Sequence, residues 1–171
     1  MSGPGEALWR FAVAVYEAPG AANACLLLQD RHGVNVNVLL AALYAVRHGT
    51  PLTAEDLAAL DAAVAGWQRQ VVEPLRAVRR AMKAEQALAG WPGAKALREA
   101  VKAAELEAER LTLATLARRL AAMAPAAGEA SVREAIVRTL ALHAAAFEAD
   151  AETAAAIATL TAAAASVDDD L

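Results

Sequence analysis

Six hydrogen-bonding side chains crowd one short turn between two apolar segments of the chain. The turn lies within CLLLQDRHGVNVNVLLAALY, and its polar residues are Gln29, Asp30, Arg31, His32, Asn35 and Asn37. Carboxylate, imidazole and amide groups at such a turn are typical of a ligand site or of an internal hydrogen-bond network. Asp30 lies in the predicted last turn of a helix, where the helix dipole disfavours a carboxylate. We therefore expect a cation, a backbone donor or a ligand beside it.

A second group of ionisable residues interrupts an apolar face of a later predicted helix. The predicted buried stripe of this helix includes Leu106, Leu113, Leu116 and Leu120. The same periodicity selects Lys102 and Glu109, and Glu105 lies at the edge of the stripe. Because a lone buried charge is very costly, we expect Glu105 and Glu109 to pair with cations from other helices. The candidate cations are Arg31, His32, Arg76, Arg79 and Arg80.

Together the two groups form a candidate polar site. Its members are Gln29, Asp30, His32, Asn37, Arg76, Lys102, Glu105 and Glu109. One interpretation is a buried structural network that fixes how the helices pack. The other is a site whose acidic residues and His32 bind a small molecule or a divalent metal, with His32 or a glutamate as general base.

Motifs of familiar enzymes are absent from the sequence. We find no nucleophile elbow, glycine-rich phosphate loop, Cys-x-x-Cys or His-x-x-x-His pattern. The Glu-x-x-His pair of carboxylate-bridged di-iron bundles is also absent, as is the DxxxD pair of magnesium-dependent prenyl-transfer folds. We therefore assign no metal ligand and identify no cofactor. These absences favour a non-enzymatic accessory or interaction protein, and the alternative is an enzyme or ligand-binding protein that uses the candidate polar site.

Charge and cysteine content limit the compartment and the partners. The net charge is −4, whereas nucleic-acid-binding domains are strongly basic. Cys25 is the single cysteine, which suits a reducing compartment. No apolar run reaches the roughly 18 residues that span a bilayer. We expect a cytoplasmic protein without nucleic-acid binding or membrane insertion, whose partner is another protein or a second copy of the chain.

The bulk composition predicts an all-α protein. Of the 171 residues, 58% are hydrophobic but only 4% are aromatic, because alanine dominates. Alanine is the strongest helix former, and β-branched residues never alternate in the runs that strands need. We predict a single compact bundle of about six helices, with residues 1–124 as the main bundle. Residues 125–171, the C-terminal helices and an alanine-rich tail, are expected to pack on the same domain or extend it.

Local signals predict where the helices begin and end. Gly33 suits the left-handed position that follows a helix, and Asn35 suits the N-cap of the next one. Ser131 is followed three residues later by a glutamate, the pattern of a capping box. Gly66 and Pro74 interrupt the fourth helix, so we expect it to be kinked or broken between them.

The fourth helix carries different chemistry on two faces. Its apolar stripe comprises Val71, Leu75, Val78 and Met82, and we expect Trp67, on the same stripe, to be interior. Its basic face comprises Arg69, Arg76, Arg79, Arg80 and Lys83. A solvated helix face is the simpler interpretation of such a run of charges, and an anion or nucleic-acid surface is the alternative.

The C-terminal part of the chain gives weaker signals. His143 falls on the apolar stripe of the helix that follows Ser131, so we expect it in the core. After Asp150 the chain is an alanine and threonine tract. This tract forms at most one last helix, whose small side chains are expected to bury little area.

Four segments of the chain resemble a family of conserved hypothetical proteins. They read LWRFAVAVYEAPG, CLLLQDRHGVNVNVLL, VVEPLRAVRRAMK and VKAAELEAERL. The family is proteobacterial and carries a domain of unknown function marked by an LQDxHGxxVN corner, with an aspartate common where this chain has Asn35. The resemblance covers residues 8–120 and implies no established activity. It also implies that ten residues occupy motif positions of the family: Gln29, Asp30, His32, Asn37, Trp67, Pro74, Arg76, Lys102, Glu105 and Glu109.

Overall fold

The part of the chain that the structure describes is helical and contains no strand. The structure is a computed structural model, and it describes residues 4–84, 90–123, 130–143 and 150–167. Its α-helices are α1 (Pro4–Glu17), α2 (Ala21–His32), α3 (Val36–Arg47), α4 (Ala54–Trp67), α5 (Glu73–Ala84), α6 (Ala94–Ala122), α7 (Val132–Ala141) and α8 (Ala151–Ser166). The all-α prediction is confirmed, but a bundle of about six helices is not. These residues form seven helices if the run from α4 to α5 is counted once.

A π segment, Gln68–Val72, joins α4 to α5. The backbone N–H of Glu73 donates to the carbonyl of Gln68, five residues earlier. Pro74 has no N–H, and its ring crowds the carbonyl four residues before it, which favours the wider turn just ahead of it. The predicted kink or break between Gly66 and Pro74 is therefore not confirmed, and the interval holds a π segment instead.

The predicted caps are confirmed where the structure describes them. Gly33 adopts a left-handed φ of 68°, and its N–H donates to the carbonyl of Gln29. The side chain of Asn35 accepts from the N–H of Asn37 at 3.1 Å. Ser131 and Glu134 bond reciprocally as a capping box. Short-range hydrogen bonds of this kind depend on neighbours in the sequence, so the sequence predicts them well.

The chain divides into two compact units: unit 1 comprises residues 1–63 and 113–171, and unit 2 comprises residues 64–112. Unit 1 contains the main core. It supplies all of the largest fully buried side chains of the described residues, namely Leu8, Leu28, Leu39, Leu43, Leu57, Leu60, Leu113, Leu116, Ile136, Leu140, Ile157 and Leu160. The predicted division of the chain after residue 124 stays a prediction.

Helix α8 is a core element of unit 1, contrary to the expectation that it would bury little area. Ala156, Ile157 and Leu160 are all buried, and α8 packs against α2 and α7. Its small side chains allow close approach, since a Cβ added at Gly20 would lie 3.3 Å from the Cγ2 of Thr159. His143 is exposed, so its predicted core position is wrong.

Unit 2 has a much smaller interior. Among its described residues, the buried apolar side chains are Val64, Val72 and Ala108. No residue of α5, all twelve of which are described, is buried. Helices of this length are marginal by themselves in water, so other interactions must hold α5 in place.

Candidate functional site

Four residues of α6 within unit 2 lie on one face of the helix because of their spacing in the sequence. Val101, Glu105, Ala108 and Thr112 follow one another at intervals of four, three and four residues, which places them on one helix face. Glu105 is 6% exposed, and Ala108 and Thr112 are also buried. The hydroxyl of Thr112 donates to the carbonyl of Ala108 at 3.0 Å, so its hydrogen bond is made within the helix. Glu105 is the charged side chain on this buried face.

Two arginines of α5 surround Glu105. The Nη2 of Arg79 lies 3.1 Å from Oε1, and its Nε donates to Oε2. The Nε of Arg76 lies 3.3 Å from Oε1. The bidentate, charge-assisted hydrogen bonds between Arg79 and Glu105 are stronger and more directional than a single hydrogen bond. Of the partners considered for Glu105, the structure supplies these two.

Arg76 extends the cluster to a second carboxylate. Its Nη2 donates to the Oε1 of Glu109 at 2.6 Å, so one guanidinium bridges two glutamates that are one helical turn apart. We call Arg76, Arg79, Glu105 and Glu109 the ionic cluster. Their side chains are between 8% and 26% exposed, which leaves limited access for water.

The surroundings move the pKa values of the two glutamates in opposite directions. Burial raises the pKa of Glu105, but the hydrogen bonds and charges of Arg79 and Arg76 outweigh it and hold the pKa below its ordinary value. At Glu109 burial dominates, the neighbouring Glu105 charge adds to it, and Arg76 does not compensate, so the pKa is raised. The difference follows from the number of guanidinium contacts that each carboxylate receives.

The predicted stripe of the fourth helix is not buried. Val78 is 49% exposed and Trp67 is 41% exposed, so the predicted interior position of Trp67 is wrong. Its indole N–H donates to the carbonyl of Ala108 at 3.1 Å. Leu106 is 51% exposed, although it was expected on the buried stripe of α6. Arginine side chains of α5, rather than its apolar stripe, reach the buried glutamate of α6.

We call residues 29–37 the polar corner after α2, and this corner contacts the start of α8 within unit 1. Arg31 pairs with Asp150 and Glu152, and the Nε2 of His32 lies 3.1 Å from the hydroxyl oxygen of Thr153. Asp150 is itself the N-cap of α8, since its side chain accepts from the N–H of Thr153 at 2.8 Å. The hydrogen bonds of Thr153 and the charge of Arg31 hold the pKa of Asp150 below its ordinary value.

Sequence reasoning missed these contacts of α8. The signal was local and present, because Asp150 precedes Thr153 by the three positions that a cap requires. The local sequence could not show that Arg31 pairs with this cap, because Arg31 lies more than a hundred residues earlier in the chain.

The predicted site residues fall into the two units. Arg76, Glu105 and Glu109 meet in the ionic cluster of unit 2, where Lys102 is exposed on the same helix. Four others belong to unit 1: Gln29, Asp30, His32 and Asn37. Asp30 is exposed and Asn37 is 7% exposed. A single site that joins both groups stays a prediction.

Two features of the described residues bear on binding. No group of three or more His, Cys, Asp or Glu among them has the geometry to hold a metal ion. A cavity of about 190 Å³ lies in unit 1, and none of the candidate residues lines it: its walls are Tyr44, Ala45, His48, Thr50, Ala117, Leu120 and Ala121.

None of the described helices is by itself long and apolar enough to cross a membrane. Two consecutive helices, Gly5–Glu17 and Ala21–His32, have that length and apolar character when taken together, but they are bent by 97° relative to each other.

Comparison with known protein families gives a match over most of the chain. The sequence model of a family described as "Protein of unknown function (DUF2390)" matches residues 7–116. The match spans the polar corner after α2 and the ionic cluster. Neither the curated proteins nor the solved structures contain a significant match to this chain.

Proposed function

We propose that this chain, which belongs to the DUF2390 family of proteins of unknown function, is a non-enzymatic interaction protein that docks a partner through unit 2. In this proposal unit 1 is the stable body, and the ionic cluster has a structural role: it holds α5 and α6 at a fixed spacing. The expected resemblance to a conserved hypothetical family agrees with the match at the level of a domain of unknown function.

The distribution of exposed apolar side chains carries the proposal. Eight large apolar side chains are exposed among the described residues, and six belong to unit 2: Trp67, Val78, Trp91, Leu97, Leu106 and Leu111. Trp91, at 71%, is the most exposed of them. Unit 2 has 49 residues and unit 1 has 122, so the larger number of exposed apolar side chains in unit 2 does not come from a larger number of residues. An excess of exposed large apolar side chains in one unit is a feature of proteins that bind a partner there, and tryptophan is enriched among the residues that contribute most to binding.

The pairing within the ionic cluster supports a structural role for its carboxylates. Both oxygens of Glu105 accept from arginine, and Glu109 accepts from Arg76. Opposite pKa shifts at two neighbouring glutamates are found in acid–base pairs of enzymes, but ion-pair networks produce them as well. Here each carboxylate already has a guanidinium partner.

Photo-crosslinking in the native cell tests the proposal. A benzophenone amino acid replaces Val78 or Leu106 in the full chain, and the matched control carries it at Arg133, an exposed position in unit 1. We expect adducts with one defined protein from the two unit 2 positions and not from the control. That protein, once purified, should bind the wild-type chain, and Val78→Asp should weaken the binding about tenfold or more.

Adducts that form equally from all three positions would contradict the proposal, because they would report random encounters. Purified adduct proteins that bind wild type and Val78→Asp with the same affinity would contradict it too. Circular dichroism of Val78→Asp establishes that the variant remains helical, since an exposed position tolerates the change.

A further inference from the structure

We propose that the partner of unit 2 is an acidic protein segment with apolar side chains. This segment contacts α5 and more than one side of α6. The inference rests on the proposed function and adds the chemistry of the partner. Two observations carry it: the charge of unit 2, and the positions of its exposed apolar residues around α6.

The charge of the chain is divided unevenly between the units. Residues 64–112 contain nine Lys and Arg but six Asp and Glu, so unit 2 has a net charge of +3. The remaining residues contain seven basic and fourteen acidic side chains, a net charge of −7. The ionic cluster is neutral as a whole, with two arginines and two glutamates. The excess positive charge therefore belongs to side chains outside the cluster.

Exposed basic residues stand beside the exposed apolar ones. Lys102 precedes Leu106 by four residues, so both lie on one face of α6, and both are exposed. Lys95 lies two turns before Lys102 on that face and is exposed as well. On α5, Arg80 and Lys83 are exposed close to Val78 in the sequence. Complementary charge steers a partner to such a surface and rejects partners of like charge.

The placement of the leucines favours a protein over a membrane. Leu97 and Leu106 are 58% and 51% exposed, and nine residues separate them. Nine residues are two and a half turns of an α-helix, so the two side chains point to opposite sides of α6. A flat bilayer contacts one side of a helix that lies on it, whereas a protein segment can contact both.

The same charge disfavours symmetric pairing of two copies through unit 2. An isologous contact would bring two surfaces of charge +3 together, and like charges placed opposite each other destabilise an interface. An acidic partner gains from the same field.

Selection from a phage-displayed library of random peptides tests the inference on the full-length chain. We expect the enriched peptides to be net acidic and to contain apolar residues. Selection against a Val78→Asp, Leu106→Asp variant provides the matched control and should not enrich them. A synthetic copy of an enriched peptide, labelled with fluorescein, should bind about tenfold more weakly to Lys95→Glu, Lys102→Glu. Arg133→Glu, an exposed charge change in unit 1, should leave its affinity unchanged.

Four results would overturn the inference: enriched peptides that are neutral or basic, no enrichment, equal enrichment on the variant, or tighter binding of the chain to phosphatidylcholine–phosphatidylglycerol vesicles than to the peptide. Sedimentation that finds a dimer broken by Val78→Asp would overturn it as well, because the second copy would then occupy the surface. If crosslinking identifies a basic or neutral protein partner, the inference fails while the proposed function stands. If crosslinking gives no specific partner, the proposed function itself fails.

Discussion

Arg79 donates two hydrogen bonds to the carboxylate of Glu105: Nη2 lies 3.1 Å from Oε1, and Nε donates to Oε2. The contact joins a helix without buried residues to the most buried carboxylate among the described residues of unit 2. Because a guanidinium is planar and presents its donors in a fixed fork, the pair fixes direction as well as distance. The pair therefore limits the orientations that α5 can take relative to α6.

Glu105→Gln should destabilise unit 2 by about 2 kcal/mol, because two partly buried guanidinium groups lose their shared counter-charge. Hydrogen exchange of α5 and α6 amides, with urea unfolding of the full chain, measures the loss. Glu99→Gln is the matched control, since its side chain is 53% exposed, and should change stability by less than about 0.5 kcal/mol. Equal effects of the two substitutions would show that burial of Glu105 does not matter.

A double-mutant cycle separates the Arg79–Glu105 pair from general effects of truncation. With alanine at each position we expect a coupling free energy of about 1 to 3 kcal/mol. The control cycle uses Arg110 and Glu107, whose charged atoms are 3.9 Å apart and whose side chains are 49% and 60% exposed. Its coupling should lie near zero to about 0.5 kcal/mol. Similar couplings in both cycles would contradict the assignment of a structural role to the ionic cluster.

The contributions of Glu105 and Glu109 to the free energy of unfolding should change in opposite directions as the pH rises. The pKa of Glu105 is lowered on folding, so its contribution is complete above 4.5 and is lost as pH falls towards the lowered pKa. The pKa of Glu109 is raised, so the folded state holds more protons, and stability falls as pH rises from 4.5 through the raised pKa. Urea unfolding at several pH values measures both trends. Glu105→Gln should remove the acid-side loss, and Glu109→Gln should remove the fall above 4.5; a wild-type profile in either variant contradicts the assignment.

Two glycines should respond oppositely to alanine. Gly20 has a φ of +80°, and an added Cβ would lie 3.3 Å from Thr159, so Gly20→Ala should cost about 1 to 2 kcal/mol. Gly66 is helical, and a Cβ there meets nothing within 4 Å. Gly66→Ala should therefore stabilise the chain by about 0.5 to 1 kcal/mol. Thermal unfolding of the two variants compares them directly, and a stabilising Gly20→Ala would contradict the close packing of α8.

Cys25 should be inert in the folded chain. Burial raises the pKa of its thiol to about 12, and the thiolate is the species that reacts with alkylating agents. Iodoacetamide labelling, followed by mass spectrometry, should be at least about a hundredfold slower in native buffer than in denaturant. Fast labelling of the native chain would mean that the α2 core opens readily.

Features that depend on neighbours in sequence were predictable. The left-handed Gly33 and the cap at Asn35 follow from backbone freedom and from side-chain hydrogen bonds within three residues. The need of Glu105 for a cationic partner was also predictable, because the cost of an unpaired buried charge does not depend on the fold. So was the helical class of the chain, since alanine dominates its composition and is the strongest helix former.

Only the tertiary structure decided which side of each helix is covered. Periodicity placed Val78 on an apolar stripe and Leu106 on a buried one, yet both are exposed while Glu105 is buried. Periodicity also could not reveal that Asp150, the N-cap of a core helix, pairs with Arg31. A repeat of 3.6 residues states which side chains share a face, but the face that is buried depends on where distant helices lie, and that depends on packing between segments far apart in the chain.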